Sequence, residues 1–243
     1  MIFSRGGKGG GRHARDRRSG LTVGPDDSYD DERVEQPPSG GPYDVSVAPD
    51  GVQRLDLGSL QIPAVADVEI RVQANPDGVI QQVVLVYGDS ALQLGVFAAP
   101  RSEGIWDEVR EEIRASLLSD GVAAEETDGA YGPELRARLS TPEGLTELRF
   151  VGIDGPRWMV RGVFQGGAAT DPSAAGPLAE VLDGLVVDRG QEARPVRESL
   201  PLRLPREVAE QAGPEATGGE VRLGPDGAGT APGQEPPRLR PSI

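Results

Sequence analysis

The sequence has no cysteine, one histidine and one lysine, and the last two, His13 and Lys8, both lie near its start. Without cysteine there is no disulfide framework, no thiolate metal site and no Cys-His dyad. With His and Lys confined to the first residues, the rest of the chain cannot form a Ser-His-Asp triad, a Schiff-base lysine, a histidine-ligated metal or a Walker phosphate loop. Aromatics are 4% of the 243 residues and hydrophobic residues 37%, low for a wholly globular chain of this length. The densest apolar run, Val83-Val84-Leu85-Val86-Tyr87, is far too short to span a bilayer. The basic start is not followed by an apolar segment, so no secretory signal is expected and the expected location is the cytoplasm. Scarce Lys and Asn beside abundant Arg, Ala and Gly fit a GC-rich bacterial genome.

Glycine and proline, by contrast, are plentiful at 34 and 22 copies, and they crowd the ends. The net charge of −14 is also uneven. Arg5, Lys8, Arg12, Arg15, Arg17 and Arg18 stand against Asp16 alone, and an acidic block of Asp26, Asp27, Asp30, Asp31, Glu32 and Glu35 follows around Arg33. Setting the ends aside leaves a middle of ordinary composition. The expected organisation is a disordered basic arm, acidic block and linker over 1–43, one folded domain over 44–206, and a disordered Pro/Gly-rich tail over 207–243.

Residues 145–166 should form the central hairpin. In its second arm Trp158, Val160, Gly162 and Phe164 share one face while Arg157, Met159, Arg161, Val163 and Gln165 share the other. Asp154-Gly155, with Pro156 after it, reads as the turn. Before this hairpin, Leu55 to Ile62 reads as a short strand kinked at Gly58, and strands at 67–73, 79–87 and 91–98 read as a meander. Residues 102–120 switch to helical period, with Ile105, Trp106, Val109, Ile113 and Leu117 on one stripe, Ser102 as candidate N-cap and Gly121 as the stop. Strands at 122–127 and 134–140 lead into the central hairpin. A second helix begins at Asp171-Pro172 or at Pro177, Val186-Val187 returns as an edge strand, and PLRLP (201–205) packs on the body. The predicted fold class is α+β, a single antiparallel sheet of about seven to eight strands with two main helices and disordered tails. This element order resembles that of the PsbP subunits of the oxygen-evolving photosystem and of the Ran-binding protein Mog.

Arg136, Arg138, Arg149, Arg157 and Arg161 gather on the late strands, with Glu134 and Glu147 among them. They are candidate anion or partner contacts, since planar guanidinium groups suit carboxylate and phosphate. The plainer reading is a solvated face of cross-strand Arg–Glu pairs. Exchanging Arg149 and Arg161 for Glu is expected to break such a contact and spare the fold. Asp67, Glu69, Asp89, Glu147 and Asp154 are not spaced to work as a pair, and Asp154 reads as a turn former. No catalytic residue, cofactor or metal is expected. Arg5, Lys8, Arg12, Arg15, Arg17 and Arg18 are candidate phosphate contacts, although the arm has no stacking aromatic besides Phe3 and the body is acidic.

At RWMVRGVFQGGAATDP (157–172), VLDGLVVDRG (181–190) and LPLRLP (200–205), with MIFSRGGKGG at the start, the chain resembles an actinobacterial family, domain of unknown function 3710. The resemblance implies no activity, cofactor or site residue. The expected function is a non-enzymatic binding or assembly module acting on a protein partner through a sheet face or edge. The alternative is an accessory protein that binds nucleic acid or an anionic surface through the basic arm, and an enzyme using carboxylates and arginines alone ranks third.

Overall fold

Alternation of apolar and polar residues builds most of this molecule. The computed structural model describes residues 40–75, 79–141, 144–205, 220–223 and 229–230, all within the unit Val34–Ile243. The basic arm and acidic block lie outside the described residues, as does most of 207–243. The chain opens with β1 (Tyr43–Asp44), β2 (Arg54–Asp56), β3 (Leu60–Pro63), β4 (Glu69–Ala74), β5 (Ile80–Tyr87) and β6 (Ser90–Ala98). Helix α1 (Trp106–Ser119) separates these from β7 (Ala124–Gly129), β8 (Gly132–Thr141), β9 (Gly144–Gly155) and β10 (Trp158–Gln165). Then come α2 (Gly167–Thr170), α3 (Gly176–Gly184), β11 (Val186–Val187), β12 (Glu220–Leu223) and β13 (Gly229–Thr230).

The main sheet is antiparallel throughout, in the order β13-β12-β4-β5-β6-β10-β9-β8-β7. Its seven strands β4 to β10 match the expected antiparallel sheet, with the central hairpin β9–β10 meeting the meander along β6. The structure adds a second, four-stranded sheet, β1-β11-β3-β2, in which β1 and β11 run parallel. Strands at Leu55 to Ile62 and at Val186-Val187 were expected, but β11 lies between β1 and β3 and not at an edge, and its two-residue partner β1 carries no readable periodicity. Among the described residues no helix is long and apolar enough to cross a membrane.

On the inner face of the main sheet Leu85, Leu92, Val96, Trp158, Val160 and Phe164 pack against Leu178, Val181 and Leu182 of α3 and against Leu60, Ile62 and Val187 of the small sheet. The Trp158 indole Nε1–H also donates to the Asp44 carboxylate, 3.0 Å away. On the outer face a smaller cluster joins Ile105 and Trp106 of the α1 entry to Ala99 and Met159, with Phe97, Phe150, Val109 and Ile113 around it. Residues 197–203 run along the diverging ends of β5 and β6: Leu200 N–H donates to Val96 O at 2.9 Å and Ile80 N–H to Leu202 O at 3.0 Å. Leu200 and Leu202 are buried there, so the packing expected of PLRLP holds.

Three local expectations need correction. Leu55 to Ile62 is a hairpin, not one kinked strand, because Gly58 takes a φ of +87° and reverses the chain. The β9–β10 turn is Pro156-Arg157, not Asp154-Gly155: Gly155 already pairs with Trp158, and Arg157 takes the positive φ of 65°. Pro followed by a positive-φ residue is the type II arrangement, which usually takes Gly in the second place. Ser102 does not cap α1, which starts at Trp106. Its N-cap residue is Ile105, and no side chain of that residue caps it.

Asp154 does the capping instead, from strand β9. Its two carboxylate oxygens accept from Ile105 N–H at 2.8 Å and Trp106 N–H at 3.1 Å, satisfying two of the free amides of a helix start. Gly104 permits the approach, since a Cβ there would lie 2.3 Å from the Asp154 carboxylate. Burial raises the Asp154 carboxyl above the ordinary range and outweighs the two amide donations, which act to lower it. Asp154→Ala should destabilise the fold by ~0.5–2 kcal/mol, the scale of a lost cap, as read by urea unfolding. A carboxyl with a raised folded pKa contributes stability below its unfolded value and loses it as pH rises through the folded value. The stability difference between the protein and its Asp154→Asn variant should therefore narrow as pH climbs from the unperturbed 3.8. A difference that widened instead would mean the amides, not burial, control this group.

Candidate functional site

Where α1 sits decides which part of the sheet stays open. Trp106 lies over Gly152, where a Cβ would come within 2.0 Å of the indole, and the indole Nε1–H donates to Pro133 O at 2.7 Å. With Asp154 fixing the same end, α1 packs over β7, β8 and β9 and reaches only Met159 and Phe97 beyond them. Among the described residues neither a helix nor the small sheet covers the outer face of β4, β5 and β6 or the adjoining end of β10.

The burial pattern records this. In β4 and β6 every inner residue is buried, while outward-facing Glu69, Arg71, Gln73, Ala91, Gln93, Gly95 and Phe97 are all at least part-exposed. Val84 and Val86 of β5 and Arg161 and Gln165 of β10 continue this face, with Val163 buried between the last two. Its chemistry is mostly uncharged amide and aliphatic. Near one margin Glu69 accepts a two-pronged pair of bonds from Arg71 at 3.1 Å, with Arg222 of β12 at 3.2 Å. The Arg71 bond is the main reason the Glu69 carboxyl sits below its ordinary value.

Arg161 stands differently. Its guanidinium lies 5.1 Å from the centre of the Phe97 ring and has no carboxylate or carbonyl partner among the described residues. Burial lowers its pKa.

The other arginines expected on one surface are dispersed. Arg149 is buried on the inner face, 4.1 Å over the Phe164 ring, with Nη1 3.2 Å from Glu134 Oε2 and Nε donating to Ala168 O at 3.2 Å. Arg136 is its cross-strand neighbour on that face. Arg138 is exposed and paired with Glu147 across the same two strands. Arg157 occupies the β9–β10 turn. Of the five, only Arg161 faces the open sheet surface. Arg5, Lys8, Arg12, Arg15, Arg17 and Arg18 lie outside the described residues.

A crevice at the end of β9 collects Glu103, Asp107, Asp154 and Asp183 beside Tyr131. Tyr131 O–H donates to Asp183 at 2.7 Å, and burial raises both groups above their ordinary values. Two of these carboxylates are thus engaged in holding the fold. Among the described residues no three His, Cys, Asp or Glu side chains are placed to hold a metal ion.

The model of the family described as "Protein of unknown function (DUF3710)" matches residues 41–211. The chain belongs to this family. Comparison with curated proteins and with solved structures gave no match. The matched stretch of this DUF3710 chain takes in every strand from β1 to β11, all three helices and the 197–203 segment. Sequence reasoning placed Gln165 on the face of Arg161 but offered neither it nor Gln93 as a contact. Their signal was present, because both alternate with buried residues on strands already recognised, but polar alternation alone does not say where a helix docks.

Proposed function

We propose that this DUF3710 chain is a non-enzymatic binding or assembly module that engages a protein partner through the open outer face of its main sheet. The observation that carries this reading is the position of α1, fixed over β7 to β9 and leaving the outer face of β4, β5 and β6 and part of β10 uncovered among the described residues. An amide-rich, weakly charged sheet face in an otherwise acidic chain suits a partner surface better than a solvated exterior. The absence of His, Lys and Cys from residues 44–206 withholds the commonest general base and the amine and thiol nucleophiles, which supports the non-enzymatic part of the proposal.

The test is site-specific photo-crosslinking in the native host, with p-benzoylphenylalanine installed at Gln93, at Gln165 and, as a control, at exposed Asp50. Discrete adducts at the two sheet positions and none at Asp50 are expected, and Val84→Glu should abolish them while leaving thermal unfolding unchanged. Identical adduct patterns at all three positions would end this reading.

A further inference from the structure

We propose that Arg161 is a receptor for a single carboxylate, the Asp or Glu side chain of a protein partner seated on the open sheet face. This rests on the binding-module reading above and names the chemistry of the partner. Three observations carry it.

The first is that Arg161 is a half-buried cation on the open face with no carboxylate or carbonyl partner among the described residues, whereas Arg71 and Arg222 on that face share Glu69. Arg161 has only the face of Phe97. An aromatic ring attracts a guanidinium but leaves its N–H donors without acceptors.

The second is the shape of its seat. The cross-strand neighbours of Arg161 on either side are Gly95 and Gly152. The Phe97 ring takes the space over Gly95, and the Trp106 ring takes the space over Gly152. Two aromatic walls therefore strip water from the guanidinium without neutralising it, which strengthens any charge-assisted bond formed there. Gln93, diagonal to Arg161 on the same face, has an amide without a hydrogen-bond partner among the described residues and lies within the reach of long side chains on a sheet.

The third is charge balance, which selects the ligand. One guanidinium and neutral amides match a singly charged carboxylate. A phosphate ester would need a second cation, and Arg71 and Arg222 of the same face are already paired with Glu69. The chain as a whole carries −14, which opposes polyanions at long range.

The experiment uses the full-length chain with arginine Nε–H resonances observed by NMR at constant ionic strength. The probes are N-acetyl-glutamate methylamide, the glutamine analogue, and inorganic phosphate. One arginine Nε–H should shift saturably with the glutamate probe and not with the glutamine probe. That resonance should vanish in Arg161→Met, and the dissociation constant read from neighbouring Gln93 should rise by about tenfold or more, as for a lost bond to a charged group. Arg161→Met should also unfold at the same or a higher temperature than the parent, because it removes a desolvated unpaired charge.

No saturable shift, or an equal shift in Arg161→Met, overturns the proposal. Tighter binding of phosphate than of the glutamate probe overturns the carboxylate assignment. Loss of the fold in both Arg161→Met and Arg161→Lys overturns it too, since Arg161 would then be structural. Crosslinks at Gln93 without a carboxylate shift would sink this subsite and leave the sheet face standing. A shift without crosslinks would do the reverse.

Discussion

Arg149→Met is expected to destabilise the domain by ~3–5 kcal/mol in urea unfolding, the scale of breaking one partner out of a buried ion pair. Arg149 and Glu134 are 2% and 1% exposed, so removing the guanidinium leaves a carboxylate in a water-free site with nothing to offset it. Besides the ion pair, Arg149 stacks on Phe164 and donates to Ala168 O, tying β8 and β9 to α2. Glu134→Gln should cost less, because a neutral amide can be tolerated where a bare charge cannot. Arg149→Met combined with Glu134→Leu should recover most of the loss, since apolar replacement of both partners in such a pair is often neutral. A single variant within 1 kcal/mol of the parent would show that water reaches this pair. The same burial overturns the expectation that Arg149→Glu spares the fold: it would place two carboxylates together in the core, and only Arg161 remains suitable as a probe of partner contact.

Trp158→Ala should cost ~3–5 kcal/mol, as a large aromatic deleted from a packed core does. Trp158 is 1% exposed and lies where the main sheet meets the small one, so the cavity opens between two layers that cannot easily collapse. Trp158→Phe separates the contributions: it keeps much of the packing and removes the N–H that reaches Asp44, a loss of ~1–3 kcal/mol if the Asp44 carboxylate cannot turn to water. Trp106→Ala should match Trp158→Ala in size but differ in kind. It removes the anchor of α1, so hydrogen exchange should quicken in α1 and along β7 while the inner core stays protected. Uniform loss of protection would mean that α1 is not a separate packing unit.

How far the chain could be read follows from the range of each interaction. Strands β4, β5 and β6 announce themselves locally, because one dry face imposes a two-residue alternation that a short window displays. Pro177 and Leu178, Val181 and Leu182 marked α3 in the same way. Contacts across long separations left no such trace. Asp154 reads as a turn residue from its neighbours, and only the fold brings it to the start of α1, 48 residues earlier in the sequence at Trp106. Either placement of the hairpin turn sets Arg149 opposite an inner-face residue, Val160 for a turn at Asp154-Gly155 and Phe164 for the observed turn at Pro156-Arg157. Its alternation with Val151 and Ile153 on β9 already pointed inward, but charge outweighed register in the reading, because an arginine is expected at the surface unless a partner such as Glu134 is buried with it. Arg161 kept the face its alternation gave it.

The small sheet bears on the order in which this protein can be made. Its strands come from the two ends of the domain: Tyr43 pairs with Val186, and Val187 pairs with Leu60. During synthesis the meander and the central hairpin can assemble from neighbouring segments, but the lid over their apolar face cannot close until Val187 has left the ribosome. For most of translation the inner face of Leu85, Leu92 and Phe164 therefore stands uncovered, a sticky surface awaiting its last strand. Ribosome-bound chains arrested shortly before Val186 should bind general chaperones strongly, and those arrested well beyond Leu202 should release them.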